Sequence, residues 1–376
     1  MHAKEDASKR TAKSIVVIGA GGNIGSHLVP HLCRMKDVER VTLIDRDVYE
    51  GANLSTQDIT PGDVGRRKAF VQARRLSRIN PSLRVRTVAE AVERVPLGLL
   101  RADVILVCLD SRRGRAYVNQ AAWRLGVPWI DTGVAADGLF ARVNVYVPAT
   151  DCACLECGWD EQDYLAIEQT YPCLGFAENA FPTNAPSSLG ALAASLQAIE
   201  CGKVLSGQLE QAALGQQVLI SAAHHKHYVT AYRRNPDCRF YGHEIWNIER
   251  LRERPNELTV EQAIELGRSG ARVNGSIGLR VEGSAFVRRL TCPKCGRAKK
   301  LLRLQNRLRA TDERCANCGQ RMVAAGRDLS ERLEAASLPG ALIKRTLKSI
   351  GFLPGDVFSV GNRAAEMHFE IDFERV

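Results

Sequence analysis

No stretch of this 376-residue chain reaches about 18 apolar residues without a charge, a proline or a polar cluster, so no membrane-spanning helix is expected. The opening residues 1–13, MHAKEDASKRTAK, are charged throughout and lack the apolar core of a secretory signal. They read as a flexible N-terminus on a cytoplasmic protein. Internal repeats and low-complexity tracts are missing too. Hydrophobic residues at 45% and charged residues at 25% exclude a mainly disordered chain. Cysteine and positive charge, by contrast, are plentiful. There are 12 cysteines, and 52 Lys+Arg face 42 Asp+Glu for a formal net charge of +10. In a reducing compartment, paired cysteines point to metal or catalysis rather than disulfides. The excess charge suits nucleic acid and an acidic protein partner equally.

At roughly 100–200 residues per domain, the length predicts two domains. The first half alternates short apolar runs with helical stretches. Ser14 to Ile18, Val41 to Asp45, Asp103 to Leu109 and Pro128 to Asp131 read as strands. Ile24 to Arg34, Arg115 to Leu125 and Pro186 to Gly202 read as helices. Near-continuous apolar strands separated by helices predict a doubly wound α/β fold on a mostly parallel sheet. From about residue 250 the character changes, so the expected domains are 14–250 and 251–376. The last fifty residues read as an amphipathic helix followed by a terminal strand, HFEIDF.

Gly19-Ala20-Gly21-Gly22-Asn23-Ile24-Gly25 follows the first strand and opens the first helix. Glycines let backbone approach a phosphate, and a helix N-terminus offers unpaired N–H donors. The G-x-G-x-x-G pattern of NAD enzymes needs glycine at 24, where Ile24 stands, which counts against an oxidoreductase. Asp45 ends the second strand, where an acid can bond a ribose hydroxyl.

Cys292-Pro-Lys-Cys295 and Cys315-Ala-Asn-Cys318 are 19 residues apart, and each pair is followed by glycine, Gly296 and Gly319. Two such knuckles complete a closed tetrahedral Zn²⁺ site, so 290–321 reads as a structural zinc ribbon. Lys294, Lys299, Lys300, Arg303, Arg307 and Arg309 surround it. Aromatics for base stacking are lacking there, so a nucleic-acid-binding zinc protein is the weaker reading. Cys33, Cys108 and Cys201 read as packing residues, and the cluster His224-His225-Lys226-His227 has no assignment.

After the glycine loop come Asp45-Arg46-Asp47, Asn53-Leu54-Ser55-Thr56-Gln57, Gly65-Arg66-Arg67-Lys68-Ala69, Ile79-Asn80-Pro81 and Leu109-Asp110-Ser111. In this order they resemble the ThiF/MoeB/HesA ubiquitin-activating (E1-like) adenylyltransferase family. The resemblance runs over about residues 14–245, through Arg115, Asn119, Cys154-x-x-Cys157, Ala185-Pro186 and Arg234-Asn235-Pro236-Asp237-Cys238. It implies a Rossmann-like, ThiF-type adenylation domain that uses ATP and Mg²⁺ to activate the C-terminal glycine of a ubiquitin-like or sulfur-carrier protein. Gly19, Gly21, Gly22 and Gly25 would form the phosphate loop, with Gly21 and Gly22 against the phosphates. Asp45 would hold the ribose, Asp47, Asn53, Gln57 and Lys68 would contact the nucleotide, and Asp110 would hold Mg²⁺.

The same resemblance pairs Cys154 and Cys157 with Cys238 in a second zinc site, whose fourth ligand is His243 or Cys152. It places Cys173 in the crossover region that carries a thioester-forming cysteine. Thr56 stands where the family has an arginine, and the family's N-terminal arginine helix is absent. Ser111 replaces the usual asparagine. A homodimer, a conjugating-type partner and a bacterial ubiquitin-like conjugation system, including antiphage ones, are the further expectations. A sulfur-carrier activator is the alternative within the class.

Overall fold

The structure is a computed structural model and describes residues 12–149, 151–168, 185–270, 277–362 and 365–373. The flexible N-terminus expected at 1–13 lies almost wholly outside them, as does Cys173. The chain divides into two compact units. One comprises Met1–Val95 and Leu100–Ile245, the other Pro96–Leu99 and Trp246–Val376.

The first unit is built on an eight-stranded sheet. Its strands are β1 (Lys13–Ile18), β2 (Val38–Ile44), β3 (Arg84–Val88), β4 (Val104–Val107), β5 (Trp129–Ala135), β6 (Phe140–Tyr146), β7 (Gln216–Ser221) and β8 (Lys226–Ala231). They lie in the order β3-β2-β1-β4-β5-β6-β7-β8. The pairs from β3 to β5 are parallel, and those from β5 to β8 are antiparallel. The β5–β6 connection is too short for a crossover, and the parallel run ends there. The β5–β6 turn is closed by Gly138 at φ +77° and Leu139 at φ +48°.

Helices α1 (Asn23–Leu32), α2 (Lys68–Ile79), α3 (Arg112–Leu125), α4 (Glu161–Glu168) and α5 (Ser187–Leu205) complete the unit. Leu28 and Leu32 of α1 and Ala193, Ala194 and Cys201 of α5 share one core with Val17, Leu106, Ile130 and Val143 of the sheet. The small residues of α5 permit close approach: a Cβ on Gly190 would stand 1.9 Å from Asn23 Oδ1 of α1. Gln197 of α5 is pinned to the sheet, its Nε2 donating to Val107 O at 3.2 Å and Ile130 O at 2.9 Å.

The second unit has its own core, including Phe286, Leu333, Phe352, Phe358 and Phe369. One of its sheets has the order β14-β10-β15-β16-β9, the other β12-β11-β13. Their strands are β9 (Ile248–Arg250), β10 (Gly278–Arg280), β11 (Phe286–Thr291), β12 (Ala298–Leu304), β13 (Leu329–Ser330), β14 (Arg332–Glu334), β15 (Val357–Gly361) and β16 (Glu366–Glu370). In place of the amphipathic helix expected in the last fifty residues there are short helical turns, Gly340–Ile343 after Pro339 and Leu347–Ile350. The helix of length in this unit is Val260–Gly270. Among the described residues no helix is long and apolar enough to cross a membrane.

Candidate active site and metal centres

A cleft of about 860 Å³ opens where β1, β2 and β4 end, lined by Gly19, Gly22, Asn23, Asp45, Asp47, Asn53, Thr56, Gln57, Lys68 and Asp110. That is where ligands sit in open α/β sheets. Gly22 is the N-cap of α1 with no side-chain cap, so the first turn of the helix presents its N–H groups to the cleft. Gly19 turns the chain at φ +79°, and a Cβ there would lie 2.6 Å from Cys108 O.

Gly21 and Gly25 are glycine for another reason, and neither lines the cleft. A Cβ on Gly21 would meet Lys68 Cβ at 2.4 Å, and one on Gly25 would meet Gly19 O at 2.2 Å. They let the loop close against α2 and itself.

Asp45 is buried, and both carboxylate oxygens accept backbone N–H groups. Oδ2 takes Gly21 N at 2.8 Å and Oδ1 takes Asp47 N at 3.0 Å. Burial raises its pKa, while the Asp47 and Gly21 amides and Lys68 pull the other way. Lys68 opens α2 and is buried, with Nζ 3.7 Å from Asp47 Oδ2 and 5.5 Å from the Tyr49 ring centre. Tyr49 in turn accepts a hydrogen bond from Gln72 Nε2 at 2.7 Å. Sequence reading missed this Tyr49–Gln72 support, which becomes visible only once α2 packs beside the loop.

Asn53 Oδ1 accepts the Glu50 amide at 2.9 Å. Gln57 Oε1 is buried without a hydrogen-bond partner among the described residues. Asp110 is exposed beyond the end of β4, and Ser111 caps α3 by accepting the Gly114 amide at 3.1 Å. Cys108, expected to pack, lines the cleft and reaches Gln197 Oε1 at 3.2 Å. Arg46 and Arg115 also line it. Arg115 carries no local motif signal apart from its place in the family pattern.

The ligand atoms of Cys154, Cys157, Cys238 and His243 lie within 4.8 Å of one another, while Cys152 is exposed and outside the group. Sγ of Cys154 is 3.7 Å from Sγ of Cys238, and His243 Nε2 is 3.4 Å from Cys238 Sγ and 3.7 Å from Cys157 Sγ. A tetrahedral Zn²⁺ with Zn–S of about 2.3 Å and Zn–N of about 2.0 Å puts sulfurs about 3.8 Å apart and sulfur and nitrogen about 3.5 Å apart. The four residues fit that ion. Burial holds the His243 pKa down, against the pull of Cys157, which favours the neutral imidazole a metal needs. Gly242 at φ +83° and His243 at φ +46° swing the ring inward, and Trp123 Nε1 donates to His243 O at 2.6 Å. Buried Glu156, between the first two cysteines, accepts from Asn119 Nδ2 at 3.1 Å, Gln120 Nε2 at 3.0 Å and the Tyr164 hydroxyl at 3.1 Å. Asn119 also accepts the Leu155 amide at 3.1 Å, so α3 fixes this knuckle.

Cys292, Cys295, Cys315 and Cys318 form the second group, with sulfurs 3.4 Å, 3.6 Å and 3.7 Å apart. These separations suit the same ion and are far beyond the roughly 2.05 Å of a disulfide. Each knuckle is closed by glycine, Gly296 at φ +69° and Gly319 at φ +70°. The basic surroundings are partly spent inside the fold. Lys299 and Arg303 pair with Asp312 at 3.5 Å and 3.1 Å, and Arg307 pairs with Asp356 at 3.1 Å. Lys294, Lys300 and Arg309 are exposed.

A glycine loop on a helix N-terminus, an acid at the end of the next strand and a lysine facing it define a nucleotide-binding α/β protein. The sequence matches the ThiF family over residues 2–240, and the chain belongs to that family. It is 31% identical over 159 residues to Ubiquitin-like modifier-activating enzyme 5 of Oryza sativa subsp. japonica, a match covering 38% of this chain and 37% of that protein. The chain therefore spans little more than a third of that relative's length. It is 28% identical over 209 residues to the Sulfur carrier protein ThiS adenylyltransferase of Escherichia coli (strain K12), covering 54% of this chain and 77% of that one. Among solved structures, E. coli MccB with succinimide superposes at a TM-score of 0.50 and 25% identity over 61% of this chain and 67% of that one. MccB with AMPCPP and selenomethionine MccA gives a TM-score of 0.50 and 25% identity over 61% and 66%.

Proposed function

We propose that this chain uses ATP to adenylate the C-terminal glycine of a ubiquitin-like protein. The observation that carries the reading is the convergence of the α1 N-terminus, Asp45, Lys68, Asn53, Gln57 and Asp110 on one cleft. A carboxylate oxygen of the acceptor attacks the α-phosphorus. The bond to the β-phosphate oxygen breaks with its electron pair, and acyl-adenylate and pyrophosphate result. Negative charge grows on the phosphates, so the Lys68 ammonium and the α1 dipole stabilise it where it appears. Asp45 orients the ribose, and its neighbours fix the nucleotide for in-line attack. The exposed carboxylate of Asp110 is the kind of oxygen ligand that Mg²⁺ takes together with phosphate oxygens. Zn²⁺ at Cys154, Cys157, Cys238 and His243, and at Cys292, Cys295, Cys315 and Cys318, is structural, because a closed four-ligand site leaves no position for substrate.

Transfer of the acyl group to Cys173, hand-off to a conjugating-type enzyme, a two-fold homodimer and a place in a bacterial conjugation system extend this reading from the sequence pattern alone. The partly exposed basic surface of the ribbon supports an acidic protein partner. ATP–pyrophosphate exchange that depends on an added protein ending in glycine tests the core of the proposal. Lys68→Ala and Asp110→Ala are each expected to lower exchange by about 10²–10³-fold. Exchange undiminished in either variant would sink that residue's role. Exchange with ThiS-like but no ubiquitin-like carriers would move the substrate to sulfur delivery, and none with any glycine-terminated protein would overturn the reading.

A further inference from the structure

Between Glu210 and Asp237 the chain has no acidic residue, but it has Lys226, Arg233, Arg234 and the histidines His224, His225 and His227. β7 and β8 form a hairpin from this stretch, and β8 ends the sheet. Its pairing runs without a shift from Ser221 opposite Lys226 to Gln216 opposite Ala231. In the same register Gly215 stands opposite Tyr232, whose N–H donates to Gly215 O at 2.6 Å. Hydrogen-bonded pairs alternate along an antiparallel ladder. Thr230, Tyr228 and Lys226 therefore turn their backbone groups to β7, and Ala231, Val229 and His227 turn theirs outward. Among the described residues no strand pairs with that outer edge.

All the residues of β8 are exposed. Tyr228 and Val229, 46% and 51% exposed, stand on opposite faces of the sheet, so apolar surface flanks the edge on both sides. The other end of the sheet is guarded differently. There β3 carries exposed Arg84 and Arg86, and charge on an edge strand is a common defence against further pairing. β8 has one lysine, no proline and no bulge. An open row of backbone donors and acceptors with β-branched and aromatic neighbours is a template for another strand.

We propose that the outer edge of β8 takes up an extended, acidic segment of a partner protein as a further strand of the sheet. The backbone groups of His227, Val229 and Ala231 supply the pairing, and Tyr228 and Val229 pack against apolar side chains on either face. Lys226 at one end and Arg233 at the other select carboxylates, with the histidines of the turn as further N–H donors. The cluster His224-His225-Lys226-His227 thereby gains a role. A second copy of the chain is disfavoured as occupant. β8 paired antiparallel with itself about Val229 sets the Lys226 end of one strand against the Arg233 end of the other, like charges with no acid in either strand. Nucleic acid is disfavoured too, since phosphates cannot complete a β ladder. β8 contributes no residue to the nucleotide cleft, so the site is independent of the adenylation reading.

The test is fluorescence anisotropy with the full-length protein and a labelled peptide alternating glutamate with valine, against the same peptide with lysine for glutamate. The glutamate peptide is expected to bind about tenfold or more tightly, and Lys226→Glu together with Arg233→Glu should reverse the preference. Val229→Pro removes the central outward N–H and should weaken binding about tenfold with zinc content unchanged. Should that variant fail to fold, a glutamate peptide N-methylated along its backbone, which has no N–H to pair, should show the same loss on the wild type. Bound peptide should also slow amide exchange at His227, Val229 and Ala231, the residues whose N–H groups point outward. Equal binding of the two peptides, undiminished binding of the N-methylated one, or slowed exchange only outside β8 overturns the proposal. A single-stranded DNA that protects the same amides more strongly than the peptide overturns it as well, as does a dimer of the protein alone that Val229→Pro dissociates.

Discussion

The four glycines of the loop answer to different neighbours, and single methyl groups separate their roles. At Gly22 a Cβ would find its nearest atom at 3.6 Å, ordinary contact, and the backbone at φ −71° suits any residue. At Gly25 the same methyl would sit 2.2 Å from Gly19 O, backbone that cannot yield without moving the loop. Gly25→Ala is therefore expected to destabilise the protein by about 1–3 kcal/mol through overpacking. Gly22→Ala should cost about 1 kcal/mol or less in stability, yet weaken ATP binding about tenfold if, as proposed, phosphate sits against this residue. Urea unfolding and calorimetric titration with ATP separate the two, and a larger stability loss in Gly22→Ala would refute the division. The glycine spacing pointed to a phosphate loop but could not separate these packing neighbours. What a Cβ strikes at Gly21 is Lys68 and Tyr49, which are distant in sequence and brought close by α2.

Among the elements, the two knuckle pairs were the most readable, because C-x-x-C-G is a local turn whose geometry its own residues determine. The fourth ligand of the first group was not. Whether Cys152 or His243 reaches the sulfurs depends on left-handed backbone at Gly242 and His243, and spacing does not report that. Six cations surround the ribbon in the sequence, yet three of them turn to Asp312 and Asp356. The second of these acids gives a pH prediction. Asp356 accepts the Leu353 amide at 2.7 Å and the Arg307 guanidinium at 3.1 Å. Burial outweighs both and pushes its pKa up to about 6 from 3.8. A carboxyl raised on folding contributes stability that is complete below its unfolded pKa and is lost as pH rises through the folded one. Between about pH 4 and 6 this group should therefore cost the second unit on the order of 1–3 kcal/mol. Asp356→Asn removes the titration but has one acceptor oxygen where Asp356 uses two, so it keeps one of the two contacts at every pH. Urea unfolding of wild type and variant at pH 4, 5, 6 and 7 should give a difference that changes over this interval, and a difference independent of pH would count against it.

At the scale of the whole molecule, a shift in composition near residue 250 suggests where one core gives way to another, but it cannot show that Pro96–Leu99 belong with the second. Nothing local marks those four residues. Their membership comes from Gly98, whose N–H donates to Gly355 O at 2.8 Å and whose missing side chain leaves room for Glu370 Oε1, 2.5 Å from where a Cβ would be. Cutting the chain between Ile245 and Trp246 thus treats the halves unequally. Fragment 1–245 keeps the whole sheet, the cleft and the Cys154–Cys157–Cys238–His243 group. It is expected to bind ATP as the intact chain does and to carry one zinc by elemental analysis. Fragment 246–376 keeps the ribbon cysteines and most of its core, so it too should carry one zinc. It lacks the Gly98 donor, however, and leaves buried Glu370 beside a gap. Its unfolding free energy should fall below that of the same unit in the intact chain by about 1 kcal/mol or more. Adding back 96–99 through a linker should recover part of that loss. Two zinc atoms in the intact protein, one in each fragment and ATP binding confined to the first would fit the division, whereas a first fragment that cannot bind ATP would show that the cleft is not self-sufficient.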